Sequence, residues 1–128
     1  MSSFVDKLRT FPRMRCAGSV DEAAIVQAED TLGLTFSKEY REYLLELGEA
    51  KTAGREFTGI CKAKRLHVVD VTQEERENVP VPEDWYVVEQ ANIDGIVIWQ
   101  DASGSVYQTG PRTKQKILCK SLATFMDM

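Results

Sequence analysis

Apolar residues in the first half of the chain recur at helical spacing. Phe4, Val5, Leu8 and Phe11 share one side of a short helix that must stop before Pro12, whose ring cannot continue it. Residues 13–18 carry no such period and read as a loop. Ser19 and Glu22 then stand at capping-box spacing, so a second helix is predicted to open at Ser19. Ile25, Ala28 and Leu32 form its apolar stripe, and Gly33 follows where a helix closes through a left-handed residue. Leu34 and Phe36 lead into a third helix opened by Ser37. Tyr40, Tyr43, Leu44 and Leu47 fall at i, i+3, i+4 and i+7 on one face of it, and Gly48 ends it. The two glycine-terminated helices form an αα pair with a short link.

After Gly54 the pattern shifts toward extended structure. Glu56–Ile60 reads as a short strand ending near Gly59, and the β-branched run Leu66–Val71 as another. Thr72 and Glu75 repeat the capping spacing and predict a short helix through Glu77. Val79-Pro80-Val81-Pro82 is extended, because each proline disfavours helix at the residue before it. Trp85–Glu89, Ile96–Gln100, Ser105–Thr109 and Lys116–Cys119 are further strands, with Asp94-Gly95 and Ser103-Gly104 supplying turn chemistry. Ser121 caps a closing helix carrying Leu122, Phe125 and Met126. Helices, a meander of strands and a last helix predict an α+β fold: a central antiparallel sheet of about five to six strands with helices packed on it. Residues 1–128 form one domain on this reading, with 1–18 as an N-terminal helix and loop extension.

Charge narrows the functional classes. The formal net charge is −4, which argues against direct nucleic-acid binding, since that needs clustered Lys and Arg. Met1–Thr10 lacks the apolar core of a secretory signal, and no apolar run is long enough to cross a bilayer, so a cytoplasmic location with no membrane contact is expected. Cys16, Cys61 and Cys119 are odd in number and far apart, which fits neither a disulfide framework nor a zinc spacing.

No catalytic motif emerges. His67 is the single histidine and reads as a strand residue at the sheet surface or edge. A nucleophile pair would need it beside Cys16, Cys61 or Cys119, and even Cys61, the nearest in sequence, lies at a spacing that implies no contact. No phosphate loop, nucleophile elbow or metalloprotease helix occurs, so no enzyme activity, cofactor or metal is expected. Asp94 and Asp101 read first as turn formers.

The acids are distributed unevenly. Glu39, Glu42, Glu46 and Glu49 fall at i, i+3, i+7 and i+10, one stripe at about 100° per residue, away from the apolar face. Glu74, Glu75 and Glu77 form a second group, and Glu83 and Asp84 a third. A solvated helix face and a docking surface for a basic partner are both open. On the docking reading the contact residues are Glu39, Glu42, Glu46, Glu49, Glu74, Glu75 and Glu77, with Asp94 and Asp101 in the loops. Of the strand aromatics, Trp99 is assigned to the core. Trp85, Tyr86 and Tyr107 would anchor an interface wherever they face outward.

The segment Ile25-Val26-Gln27-Ala28-Glu29-Asp30-Thr31-Leu32-Gly33, followed by Leu34, Phe36 and Ser37-Lys38-Glu39-Tyr40-Arg41-Glu42-Tyr43-Leu44-Leu45-Glu46-Leu47-Gly48, resembles the opening of SUKH-superfamily (SMI/KNR-like) domains. Glu56–Ile60, Thr72 with Arg76, Gly104-Ser105-Val106-Tyr107 and Ser121–Met126 are similar to later family elements in the same order. Ser37 stands where the family usually has proline, and residues 90–94 lack its glycine-rich stretch. The resemblance implies an α+β fold without catalysis. It also implies an immunity protein that binds and neutralises a cognate bacterial toxin, a nuclease with a basic groove being the type an acidic inhibitor suits. A non-catalytic regulatory module with a non-toxin partner is the alternative. A monomer or weak homodimer is expected.

Overall fold

The computed structural model describes residues 3–52, 54–91, 95–111 and 113–128. Helix α1 (Phe4–Arg9) opens with a reciprocal cap between Ser3 and Asp6. The segment read as an extension thus sends Phe4, Val5 and Leu8 into the same core as the rest of the chain. Helix α2 (Glu22–Leu32) starts two residues later than Ser19 implies. Asp21 is the cap and accepts from the Ala24 N–H at 2.9 Å. Val20 explains the shift: its N–H bonds to the Leu44 carbonyl and its side chain packs on the core, so the chain stays tied down before the helix begins. Gly33 closes α2 at φ 69°. Helix α3 (Lys38–Leu47) is capped by the Ser37 hydroxyl and ends at Gly48. Its buried face is the one its periodicity predicts: Tyr40, Tyr43, Leu44 and Leu47.

The single central sheet is replaced by two antiparallel sheets among the described residues. One runs β1 (Arg15–Cys16), β2 (Ala50–Thr52), β3 (Arg55–Glu56). The other runs β4 (Tyr86–Gln90), β5 (Val97–Gln100), β6 (Val106–Gly110), β7 (Thr113–Cys119). Strand β1 lies in the stretch read as loop; two exposed residues carry no alternation to betray a strand. The segment Glu56–Ile60 pairs as ladder only at its start. Phe57 then bridges to Glu89, and the Thr58 N–H reaches the Val88 carbonyl at 2.9 Å, which links the two sheets.

Leu66–Val71 is not a strand. A 3-10 turn over Lys64–Leu66 leads into α4 (Val68–Asn78), whose N-cap is His67. Val68, Val71 and Thr72 fall at i, i+3 and i+4 and are buried, so packing of one helical face overrides the local preference of the β-branched residues. Thr72 does not cap a helix; mid-helix, its hydroxyl accepts from the Val87 N–H at 3.0 Å.

The four-stranded sheet buries both faces. Tyr86, Val88, Ile98 and Val106 join the helices in the main core. Val87, Val97 and Trp99 form a second cluster with Trp85 and Val71, closed over by Val81 and Tyr107. Trp99 is fully buried, with its indole N–H on Thr109 at 2.9 Å. Trp85 and Tyr86 are buried, and the half-buried Tyr107 stacks on Trp85 at 3.9 Å. Helix α5 (Leu122–Phe125) closes the core, held to α1 by Lys7, which donates to the Ala123 carbonyl at 2.9 Å and pairs with Asp127.

Two glycines test the packing differently. A Cβ on Gly59 would lie 2.0 Å from the Gly48 carbonyl oxygen and 2.7 Å from the Glu49 Cα, neither able to give way cheaply. A Cβ on Gly33 would meet nothing, and only its left-handed backbone resists. Urea unfolding should show Gly59→Ala losing about 3 kcal/mol and Gly33→Ala about 1 kcal/mol. The reverse order would contradict the close backbone crossing.

Candidate functional site

The carboxylates proposed for docking divide into two sets. Glu39 turns inward: its Oε1 accepts from the Leu122 N–H at 2.6 Å and from Gln100 Nε2 at 3.0 Å, and its Oε2 from the Ala123 N–H at 3.0 Å. It thus supplies negative charge to the start of α5, where free N–H groups and the helix dipole favour it. Glu49 is not on the helix stripe at all. Helix α3 ends at Leu47, and Gly48 at φ 74° turns the chain away, so extending the helical period past it fails. Glu49 is 2% exposed and reaches Lys51 Nζ at 3.1 Å. The four-member acidic stripe is therefore reduced to Glu42 and Glu46. Both are exposed, and with Lys38, Arg41 and the half-exposed Leu45 they line a shallow groove on the outside of α3.

On α4, Glu74 and Glu77 are exposed, while Glu75 accepts from Gln90 at 3.1 Å and from Asn78 at 3.4 Å. Asp101 is held in its turn by Ser103 and by the Tyr107 hydroxyl at 2.8 Å. Burial pushes its carboxyl up, but those hydrogen bonds outweigh burial and leave it below the usual carboxylate range. Asp94 lies outside the described residues, and so does its approach to Asp101. Glu42 and Glu46 on α3 are therefore not contiguous in sequence or element with Glu74 and Glu77 on α4, although α2 packs against both helices.

His67 uses Nδ1 to accept from the Val69 N–H at 3.3 Å and faces Asp70 at 3.8 Å. Cys61 and Cys119 each donate to a backbone carbonyl, Ala63 at 3.5 Å and Ser121 at 3.2 Å. Burial pushes both thiols up, away from the thiolate a nucleophile needs. Among the described residues no three His, Cys, Asp or Glu side chains converge as metal ligands.

Sequence reasoning missed two inward carboxylates. Glu89, inside an apolar strand, is clamped by Arg55 at 2.8 and 3.0 Å, and the guanidinium also lies over the Phe57 and Phe125 rings. Glu29 accepts from the Phe36 N–H at 2.8 Å and from Arg41 at 2.7 Å. Arg41 also pairs with Glu22. A charge within an apolar strand, and a glutamate one residue off an apolar helix stripe, were the available signals. The family model described as SMI1-KNR4 cell-wall (SUKH_5) matches residues 1–127. The chain belongs to the SUKH superfamily. No curated protein matches it.

The SUKH-like motif residues now have physical roles. Glu29, in the Ala28-Glu29 pair, ties the link between α2 and α3; Arg41, in Glu39-Tyr40-Arg41, locks that tie; Gly33 and Gly48 close the two helices. The motif is a packing device. Ser37, in place of the family's proline, adds a hydroxyl that both caps α3 and donates to Gln100 at 3.0 Å. Membership is consistent with an immunity-type role and suggests a protein partner.

Glu39→Ala should cost about 2 kcal/mol, because it strands the Leu122 and Ala123 N–H groups at the start of α5 and an amide proton of Gln100. Glu42→Ala should stay within about 0.5 kcal/mol, as exposed substitutions do. Equal effects in chemical denaturation would contradict the division. Tyr40 and Tyr43 titrate well above 10.0, with burial as the leading cause. Unfolded tyrosines ionise from about pH 10 while these stay neutral, so stability is full below that pH and falls above it. Tyrosinate absorbance should rise together with the loss of structure at high pH, not before it.

Proposed function

We propose that this SUKH protein is a cytoplasmic immunity protein that binds a cognate bacterial toxin and blocks it by covering its working surface. One observation carries the reading. After the internal carboxylates are set aside, Glu42 and Glu46 on α3 and Glu74 and Glu77 on α4 remain exposed and make no ion pair among the described residues, on a chain of net charge −4. Such faces attract a basic groove and steer its approach. A nuclease is the toxin class that suits them, since the carboxylates stand in for substrate phosphates. Leu45, flanked by Glu42 and Glu46, supplies apolar contact within that face.

The family description's cell-wall wording supports a second reading, a regulatory binding module with a non-toxin partner. Co-expression with the toxin encoded by the adjacent upstream gene separates them. The immunity reading expects survival and a stable complex. Death at an unchanged rate with no complex would leave the regulatory reading, which capture of a non-toxin partner from native lysate would then identify.

Replacing Glu42 and Glu46 with lysine should leave the unfolding midpoint nearly unchanged. It should slow association with the partner roughly tenfold at low salt and flatten the salt dependence. An unaltered on-rate would remove the outer face of α3 from the interface.

A further inference from the structure

A groove of about 570 Å³ opens beside the three-stranded sheet, lined by Arg13, Arg15, Lys51, Thr52, Arg55 and Glu56 among others. Its charge is opposite to that of the chain as a whole. The strand register sets Arg15 directly across from Lys51, and Lys51 directly across from Glu56. Like charges facing each other across a ladder are destabilising unless something neutralises them. The nearby carboxylates do so only in part. Glu56 gives both oxygens to Arg65 at 2.9 and 2.8 Å. Glu49 meets Lys51 through one oxygen, and Glu89 is taken up by Arg55. Arg13 and Arg15 are exposed and make no ion pair among the described residues. The cations Arg13, Arg15, Lys51, Arg55 and Arg65 therefore outnumber Glu49, Glu56 and Glu89.

Guanidinium forks and an ammonium form the donor set that recognises tetrahedral oxyanions. The volume falls within the range of small-molecule sites.

We propose that this groove binds a small phosphorylated ligand, its phosphoryl oxygens accepting from Arg13, Arg15 and Lys51. The site is independent of the acidic faces on α3 and α4, so its test does not depend on the toxin reading.

The probe is inorganic pyrophosphate, titrated into the full chain at constant ionic strength while backbone amide resonances are followed. Saturable shifts are expected at Arg15, Lys51, Thr52 and Arg55. Binding should weaken roughly tenfold in Arg15→Ala, the loss of a charge-assisted contact, and stay unchanged in Lys120→Ala, an exposed lysine outside the groove. Arg15 is exposed, so its replacement should leave thermal unfolding intact; should it not, Arg13→Ala carries the same expectation. Shifts that fail to saturate, that spread equally to Lys120, or that survive both arginine substitutions would overturn the site. Citrate binding as tightly as pyrophosphate would overturn the phosphoryl assignment. A single-stranded oligonucleotide binding more tightly than pyrophosphate would overturn the small-ligand assignment.

Discussion

Gln100 is fully buried at the end of β5, where its amide must find partners for an oxygen and two protons inside the protein. The oxygen accepts from the Ser37 hydroxyl at 3.0 Å and the Tyr86 hydroxyl at 2.8 Å. The nitrogen donates to Glu39 and to the Gly104 carbonyl, each at 3.0 Å. Four elements meet through this one side chain: the start of α3, strand β4, the β5–β6 turn and, by way of Glu39, the start of α5. A fully satisfied buried amide specifies one arrangement of its neighbours, because any other leaves polar groups stranded. Burial pushes the Tyr86 hydroxyl up and keeps it neutral, against the hydrogen bonds to Ser37, which pull it the other way.

A second polar node sits where the two sheets join. The Thr58 hydroxyl meets Tyr40 at 2.8 Å and donates to the Val87 carbonyl at 2.7 Å. Its carbonyl accepts from Tyr43, which in turn accepts from the Ala50 N–H. Of two tyrosines one turn apart on α3, Tyr43 thus satisfies the backbone and Tyr40 the Thr58 hydroxyl at the point where β3 gives way to the bridge with β4. Aromatic edges reinforce the same place: Phe4 packs against Tyr43 and Phe57, and Phe36 against Tyr40 and Tyr86. The apolar period of α3 therefore does two jobs, burying ring area and delivering hydroxyls to strand termini.

Much of this was legible in the chain. The faces of α2 and α3, their closure at Gly33 and Gly48 and the late meander follow from periodicity and turn chemistry, which are local properties. The failures in secondary structure have a common cause. Leu66–Val71 is helical because burial of Val68, Val71 and Thr72 outweighs β propensity, and burial is set by distant partners. Strand β1 exists only because β2 lies beside it. Helix α2 starts at Asp21 because Val20 is tied to the Leu44 carbonyl. The acidic stripe failed at its two ends for different reasons, one distant and one local. Glu39 is claimed by a helix more than eighty residues away, and Glu49 lies past the glycine that ends the helical period.

What remains for a partner is the surface left over from these internal commitments. Glu29, Glu39 and Glu89 are bonded into the SUKH fold and Glu49 is buried in it, while Glu42, Glu46, Glu74 and Glu77 face outward. The central claim is that these two sets of carboxylates have different work. Carbodiimide-driven amidation of carboxyl groups, read residue by residue by mass spectrometry on the folded chain, tests it most directly. Rapid labelling of Glu42, Glu46, Glu74 and Glu77, with Glu29, Glu39, Glu49 and Glu89 protected until the chain unfolds, is the predicted result. Labelling of Glu39 and Glu49 at the rate of Glu42 would contradict it.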